Sequence, residues 1–130
     1  MMINHHYKLA YRYLNTFHFK QYNDKIGVKE YEPYIYAQLP DIIKKLNDNK
    51  NTRQAILIMN RGNDFMSCLI SIQFQIFNSE LYVTVNLRSQ AREFMKKDAR
   101  LFCFCATRVL NNMDYLISKV NIDVYVGNFH

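Results

Sequence analysis

Two stretches of alternating apolar and polar residues, separated by a short polar turn, constrain the fold of this chain more than any other part of it. Their apolar positions are Ile70, Ile72, Phe74 and Ile76 in the first stretch and Leu81, Val83, Val85 and Leu87 in the second. A period of two is typical of a β-strand with one buried face. If Asn78 and Ser79 form a two-residue turn, Ile76 faces Leu81 and Ile72 faces Val85, so both apolar sets share one face. The sequence therefore predicts a β-hairpin in this register.

Helical spacing of apolar residues predicts three helices around this hairpin. The first lies within residues 1–20, where Tyr7, Tyr11, Leu14 and Phe17 share one face, and residues 21–33 follow as a loop. The second runs from Pro33 to Asn47, and Pro40 either kinks it or marks its first turn. The third runs from about Arg92 to Ser118, with an apolar face that extends from Phe94 to Leu116.

Short apolar runs predict two further strands, Ala55 to Met59 and Ile122 to Val126, and residues 60–64 read as a loop. With 130 residues, 49% of them hydrophobic, the chain is expected to form a single domain, residues 1–130. The expected class is α/β (α+β), with a mixed sheet covered by helices on one face.

The three cysteines, Cys68, Cys103 and Cys105, are an odd number in a chain without an apparent signal sequence. This favours a reducing compartment, and the cytoplasm is the expected location. The Cys103–Cys105 spacing does not match a zinc pair, so no metal site is expected. No apolar run is long enough to cross a membrane. The abundance of Asn, Lys, Ile and Tyr is typical of an AT-rich genome, such as that of a virus.

The formal charge of +6 favours an anionic partner. The basic residues are spread out, with ten basic and six acidic residues in 1–65 and seven and five in 66–130. This distribution favours a small phosphorylated molecule over nucleic acid. A basic nucleic-acid-binding protein remains an alternative, although the chain lacks a basic strand motif interleaved with aromatic residues.

The predicted hairpin register places Cys68 opposite Ser89 and beside Arg88, on strands roughly 5 Å apart. Strict alternation would send Cys68 to the apolar face and Arg88 to the other, unless a β-bulge near a strand end brings them to one side. An arginine beside a cysteine favours the thiolate, and arginine with a serine hydroxyl can grip a phosphate. Without the bulge, Cys68 is a small buried apolar residue.

These residues resemble the nucleotide-binding half of thymidylate synthases and dCMP hydroxymethylases. The similarity covers about residues 34–126, and its motifs are Tyr36-Ala-Gln38-Leu39, Thr52-Arg53-Gln54-Ala55, Cys68 with Gln73-Phe74 five residues later, and Arg88-Ser89. The resemblance implies a thymidylate-synthase-like sheet whose uncovered face forms a homodimer. It also implies binding of a pyrimidine deoxynucleotide, dUMP or dCMP.

By position, the resemblance assigns roles to seven residues. Cys68 would be the nucleophile that adds to pyrimidine C6, and methylenetetrahydrofolate would be the one-carbon donor if the protein is catalytic. Arg88 and Ser89 would hold the 5′-phosphate, and Arg53 would reach the phosphate of a dimer partner. The pyrimidine or its sugar would be contacted by Gln73, Asp98 and Tyr125.

The chain also departs from the family pattern. The Arg-Ser-x-Asp motif ends in Ala91, and Asp98 takes the base-reading position only with a one-residue deletion; otherwise Ala99 does. Asp123 stands where the family has its late histidine. These departures leave two alternatives: a C5 methyl- or hydroxymethyl-transferase, or a non-catalytic nucleotide-binding or protein-interaction module. They favour reduced or lost catalysis.

Overall fold

A computed structural model describes residues 11–12, 31–59 and 68–128 of the chain. In chain order its elements are β1 (Tyr11–Arg12), α1 (Glu32–Asp48), β2 (Ile56–Ile58), β3 (Leu69–Phe77), β4 (Glu80–Leu87), a 3₁₀ turn (Arg92–Phe94), α2 (Met95–Asn111) and β5 (Lys119–Val126). These strands form one sheet in the order β1-β5-β4-β3-β2. β4 and β5 are parallel and the other neighbours are antiparallel. The predicted mixed α+β class is correct at this level.

The hairpin of β3 and β4 has the predicted register. Ile76 pairs with Leu81 and Ile72 with Val85, and the strands are joined by Asn78 and Ser79. Both turn residues have positive φ angles, 52° and 61°. Left-handed conformations at the two central positions match the twist of the flanking strands, and this explains how so short a turn joins them.

A register shift interrupts β3 between Leu69 and Ser71. Of the two alternatives that the sequence left open here, a β-bulge or strict alternation, the structure has the bulge. The shift places Leu69 opposite Leu87 in the core, whereas Ile70 is 42% exposed. The prediction that Ile70 belongs to the apolar face is therefore wrong. A bulge inserts one residue into the strand, so the alternation that holds from Ile72 onward does not extend back to Ile70.

The second predicted helix is confirmed as α1, which extends one residue beyond the prediction at each end. Its buried stripe consists of Ile35, Leu39, Ile42 and Leu46. Pro33 lies in the first turn, where its missing N–H costs no intrahelical bond. Pro40 lies in the helix interior on the exposed side, and not in the first turn.

The third predicted helix is too long at both ends. Residues 92–94 form a 3₁₀ turn, α2 ends at Asn111, and Leu116 is 84% exposed. After α2 the chain turns back onto the end of α1: the Tyr115 hydroxyl donates to the Leu46 carbonyl at 3.0 Å, and the Asn47 amide donates to the Asn112 carbonyl at 2.9 Å. The first bond satisfies a carbonyl in the last turn of α1, and the second satisfies the carbonyl of the residue that follows α2. The apolar periodicity does not reveal this use of the chain.

Both helices pack on one face of the sheet and share one core with it. The apolar residues of the sheet's covered face include Leu57, Ile72, Phe74, Val83, Val85, Ile122 and Val124. Residues 101–107 of α2 are all buried, so this helix is enclosed over most of its circumference. The opposite sheet face carries polar side chains, among them Ser71, Gln73, Thr84 and Asn86.

The edge strand β2 is closed by a side chain of α1. The Gln38 carboxamide donates to the Ile58 carbonyl at 2.8 Å and accepts from the Ile58 N–H at 2.9 Å. It thus occupies edge positions that would otherwise be open to another strand.

The predicted N-terminal helix is wrong at Tyr11, which lies in β1 opposite Val124. Pairing with β5 overrides the helical spacing, which is a local signal. The other residues of that prediction, Tyr7, Leu14 and Phe17, lie outside the described residues, as do 21–30 and the predicted loop at 60–64. Of residues 31–33, predicted as loop, Tyr31 lies in a turn, whereas residues 32 and 33 belong to the first turn of α1, so the loop prediction is wrong at these two positions.

Candidate functional site

Cys68 and Ser89 are brought together at the open end of the β3–β4 hairpin. The Cys68 Sγ lies 3.5 Å from the Ser89 Oγ, and the Arg88 N–H donates to the Cys68 carbonyl at 2.6 Å. The bulge makes Arg88, and not Ser89, the residue opposite Cys68, one position away from the predicted register. Cys68 and Ser89 are half-buried and Arg88 is exposed. The thiol is therefore not sealed in the core.

Tyr125 lies at the same end of the sheet. This β5 residue pairs with Asn86 of β4 and is 48% exposed. β4 ends at Leu87, and Arg88 follows it directly. Tyr125 and Arg88 therefore both lie at the carboxyl ends of the parallel strands β4 and β5.

Gly127 allows β5 to approach the Arg88 segment closely. A Cβ at this position would lie 2.8 Å from the Arg88 carbonyl oxygen. Because that oxygen belongs to the backbone, it could not easily move away. The Gly127 N–H donates to the Leu87 carbonyl at 2.9 Å, and the Gln90 N–H donates to the Asn128 carbonyl at 3.0 Å. The end of β5 thus holds residues 87–90 in place.

Asp98 is linked to this segment through Gln90, which was not among the predicted site residues. The Gln90 Nε2 donates to the Asp98 Oδ2 at 2.7 Å, and Gln90 is buried. Burial raises the pKa of the Asp98 carboxyl, while the hydrogen bond from Gln90 and the charge of Lys97 oppose that rise. The position of Gln90 immediately after Arg88-Ser89 was a possible signal, but nothing in the sequence pairs it with Asp98.

Gln73 and Arg53 lie together in a different place. The Gln73 Nε2 donates to the Arg53 carbonyl at 3.0 Å. Gln73 is five residues from Cys68 along β3, a separation of roughly 16 Å, which is beyond hydrogen-bond reach. Within one chain, a ligand small enough to rest on Cys68 and Ser89 does not also touch Gln73.

The two other cysteines lie in the core on α2. Cys105 is fully buried, and burial raises the pKa of its thiol to about 12. Among the described residues, no three His, Cys, Asp or Glu side chains are grouped in a way that could hold a metal ion. In the described part of the chain, no helix has both the length and the apolar character that crossing a membrane requires.

Comparison of the chain with protein-family models and with the curated proteins gives no match.

Proposed function

We propose that this protein binds a pyrimidine nucleoside monophosphate at the open end of the hairpin, with Arg88 and Ser89 on the phosphate. The observation that carries the proposal is the 3.5 Å distance between the Cys68 Sγ and the Ser89 Oγ. Beside this contact, the Arg88 N–H donates a hydrogen bond to the Cys68 carbonyl. This arrangement supports the set of residues that resembles thymidylate synthases and dCMP hydroxymethylases, since thiol, hydroxyl and guanidinium belong to one strand end.

The chemistry of these groups suits a phosphate. Arg88 is exposed, and no hydrogen bond or ion pair engages its guanidinium within the described residues. A guanidinium presents a planar fork of donors that matches two phosphate oxygens, and the Ser89 hydroxyl adds another donor. Tyr125, at the same end of the sheet, is available to a sugar, and Asp98 to a base.

A homodimer is part of the proposal. The Arg53 carbonyl is bonded to Gln73, which lies roughly 16 Å from Cys68 in the strand direction, so we do not assign Arg53 to the phosphate site of its own chain. In a dimer formed through the polar sheet face, Arg53 would instead serve the nucleotide of the second copy, as the resemblance implies.

A second candidate function is C5 group transfer, and the half-buried position of the Cys68 thiol favours it. In this reaction the thiolate would bond to C6 of the pyrimidine, and the electrons of the C5–C6 double bond would make C5 nucleophilic. C5 would then bond to an electrophile and release its proton to a base. Departure of the thiolate from C6 would restore the double bond.

The binding proposal is tested by calorimetric titration with dUMP, dCMP, deoxyuridine and deoxycytidine. We expect the monophosphates to bind and the nucleosides to bind much more weakly. Arg88→Ala should remove about 1.5–3 kcal/mol, roughly ten- to a hundredfold in affinity. Arg108→Ala is the matched control, since its guanidinium lies about 6 Å from the Tyr36 ring on another surface. Equal affinity for nucleosides and monophosphates would remove the proposal.

Catalysis is tested separately with nucleotide tritiated at C5. Reversible addition of Cys68 to C6 should labilise the C5 hydrogen, so tritium release requires no one-carbon donor. Cys68→Ser should abolish the release while leaving nucleotide affinity within a few-fold. If tritium is retained with both dUMP and dCMP although both bind, the protein is a binding module.

A further inference from the structure

A cleft of about 540 Å³ opens beside the hairpin turn, at the opposite end of β3 from Cys68. The loop between α1 and β2 contributes Asn51 and Arg53 to its wall, and the hairpin contributes Gln75, Phe77 and Tyr82. This volume is in the range of small-molecule sites. Arg53 is the one lining residue that the nucleotide proposal also uses, for the phosphate of a dimer partner.

Arg53 brings an exposed positive charge to the cleft. Its backbone is fixed, because its carbonyl accepts from Gln73 at 3.0 Å and the next N–H, that of Gln54, donates to the Thr52 Oγ1 at 3.1 Å. In the described part of the chain, no hydrogen bond or ion pair engages its guanidinium. The N–H donors of this guanidinium are therefore suited to bind a carboxylate or a phosphate, and the backbone that carries them is held in place.

Two aromatic rings form the apolar part of the wall. Phe77 is 64% exposed and Tyr82 is half-buried. A flat ring placed against them would remove apolar surface from water and gain ring contacts.

A negative charge beside Tyr82 sets the polarity of the cleft. The Tyr82 hydroxyl donates to the Glu80 carboxylate at 3.2 Å, and the Asn121 amide donates to it at 2.9 Å. The hydrogen bond from Asn121 lowers the pKa of Glu80, with smaller contributions from Tyr82 and Lys119, so the carboxylate stays ionised at neutral pH. An anionic group is therefore favoured at Arg53 and disfavoured at the Tyr82 side.

We propose that this cleft is a second ligand site, and that it takes an aromatic ring system bearing one anionic group. The carboxylate or phosphate would bind Arg53, the ring would pack on Phe77 and Tyr82, and Asn51 and Gln75 would offer amides to polar atoms on the ring. All the lining residues belong to one chain, and the site does not depend on the phosphate contacts proposed for Arg88 and Ser89.

The experiment uses naphthalene probes, whose emission is easily isolated because the chain contains no tryptophan. The full chain is titrated with 1-naphthyl phosphate, 1-naphthoate and 1-naphthol, and inorganic phosphate is added as a competitor. We expect the two anionic probes to bind, with 1-naphthol and inorganic phosphate at least about tenfold weaker. The order of the two anionic probes tells whether carboxylate or phosphate is preferred.

Variants locate the probe. Arg53→Ala should weaken binding about ten- to a hundredfold, and Arg53→Lys less, because lysine keeps the charge without the fork. Phe77→Ala should weaken it about two- to tenfold and Phe77→Leu less. Arg88→Ala should leave probe affinity unchanged.

Three results would overturn the proposal. The first is that 1-naphthol binds as tightly as the anionic probes. The second is that Arg53→Ala leaves probe affinity unchanged. The third is that Arg88→Ala lowers probe affinity and Phe77→Ala does not. The last would place the probe at the Cys68 end. If Arg53 also serves a partner's nucleotide, Arg53→Ala lowers dUMP affinity as well, whereas Phe77→Ala affects the probe alone.

Discussion

Solvent access distinguishes Cys68 from the other two cysteines. Cys68 lies at the end of a strand beside Ser89, whereas Cys103 is 6% exposed and Cys105 is fully buried on α2. A thiol reacts as the thiolate, which burial in an apolar environment disfavours. For Cys105 this effect raises the pKa to about 12, so its thiolate is rare at any ordinary pH.

We expect one of the three thiols to react with Ellman's reagent in the folded protein and all three to react in denaturant. Cys68→Ser should remove the reactive thiol of the folded state and leave two reactive thiols in denaturant. Rapid reaction of two or more thiols in the folded state would contradict the buried positions of Cys103 and Cys105.

Asp98 carries a second residue-scale prediction, because burial raises the pKa of its carboxyl above the ordinary value of 3.8. The folded state therefore binds this proton more tightly than the unfolded state. Linkage then requires the free energy of unfolding to fall as the pH rises through the window between 3.8 and the raised pKa. Above that window the loss is complete and constant.

Asp98→Asn keeps an oxygen for the bond from Gln90 and removes the titration. The variant should gain stability relative to the wild-type protein as the pH rises through this window, and the difference should be level near pH 7. Urea unfolding of both proteins from pH 3.5 to 7 measures it, and the other acidic groups cancel in the comparison. Parallel stability profiles would show that Asp98 is not desolvated.

At the scale of elements, the hairpin turn is the place where local sequence and backbone conformation disagree. Asn78 and Ser79 both have left-handed φ angles, which asparagine tolerates and serine does not favour. The alternation of the flanking strands specifies the register strongly enough to hold Ser79 in this conformation.

Ser79→Gly should raise the free energy of unfolding by about 0.5–1 kcal/mol, because relief of the left-handed strain exceeds the added entropy of the unfolded chain. The carbonyl that accepts from the Ser118 N–H is kept. Asn78→Gly is the matched control and should give a smaller gain. Chemical denaturation measures the change, and the dependence of the unfolding free energy on denaturant concentration should stay the same. A destabilised Ser79→Gly protein would contradict the turn conformation.

The ends of the two helices show where the spacing of apolar residues predicts a helix correctly and where it does not. The stripe from Ile35 to Leu46 predicted α1 because that helix has one face against the core and one in solvent. The apolar residues beyond Asn111 continued the spacing of α2, yet there the chain leaves the helix to cap α1 through Tyr115. Contacts between residues 69 positions apart leave no local signal, so the end of α2 could not be predicted.

At the scale of the whole molecule, strand order determines how stability is distributed. β4 is hydrogen-bonded on both sides, by β3 and β5, and its Leu81, Val83 and Val85 are buried. β2 is at the edge, and the Ile58 N–H is bonded to the Gln38 side chain. Opening β4 requires disruption of the sheet, whereas releasing Ile58 requires one side chain to move.

Native-state hydrogen exchange should therefore show the amides of Val83 and Val85 exchanging only through global unfolding, and the Ile58 amide exchanging faster through local opening. Gln38→Ala should accelerate exchange at Ile58 further and leave β4 unchanged apart from any change in global stability. Equal protection of Ile58 and Val83 would contradict the edge position of β2.

The sequence alone determined the hairpin, the helix α1 and the nearness of Cys68 to Arg88 and Ser89, because each follows from periodicity or from a short turn. Only the tertiary structure decided that Leu69 and not Ile70 enters the core, that Gln90 bonds to Asp98, and that Arg53, bonded to Gln73, lines a cleft beside the hairpin turn. These features depend on a bulge and on contacts between elements distant in the chain. Such contacts are selected by packing of the whole molecule, and a local pattern contains no record of them.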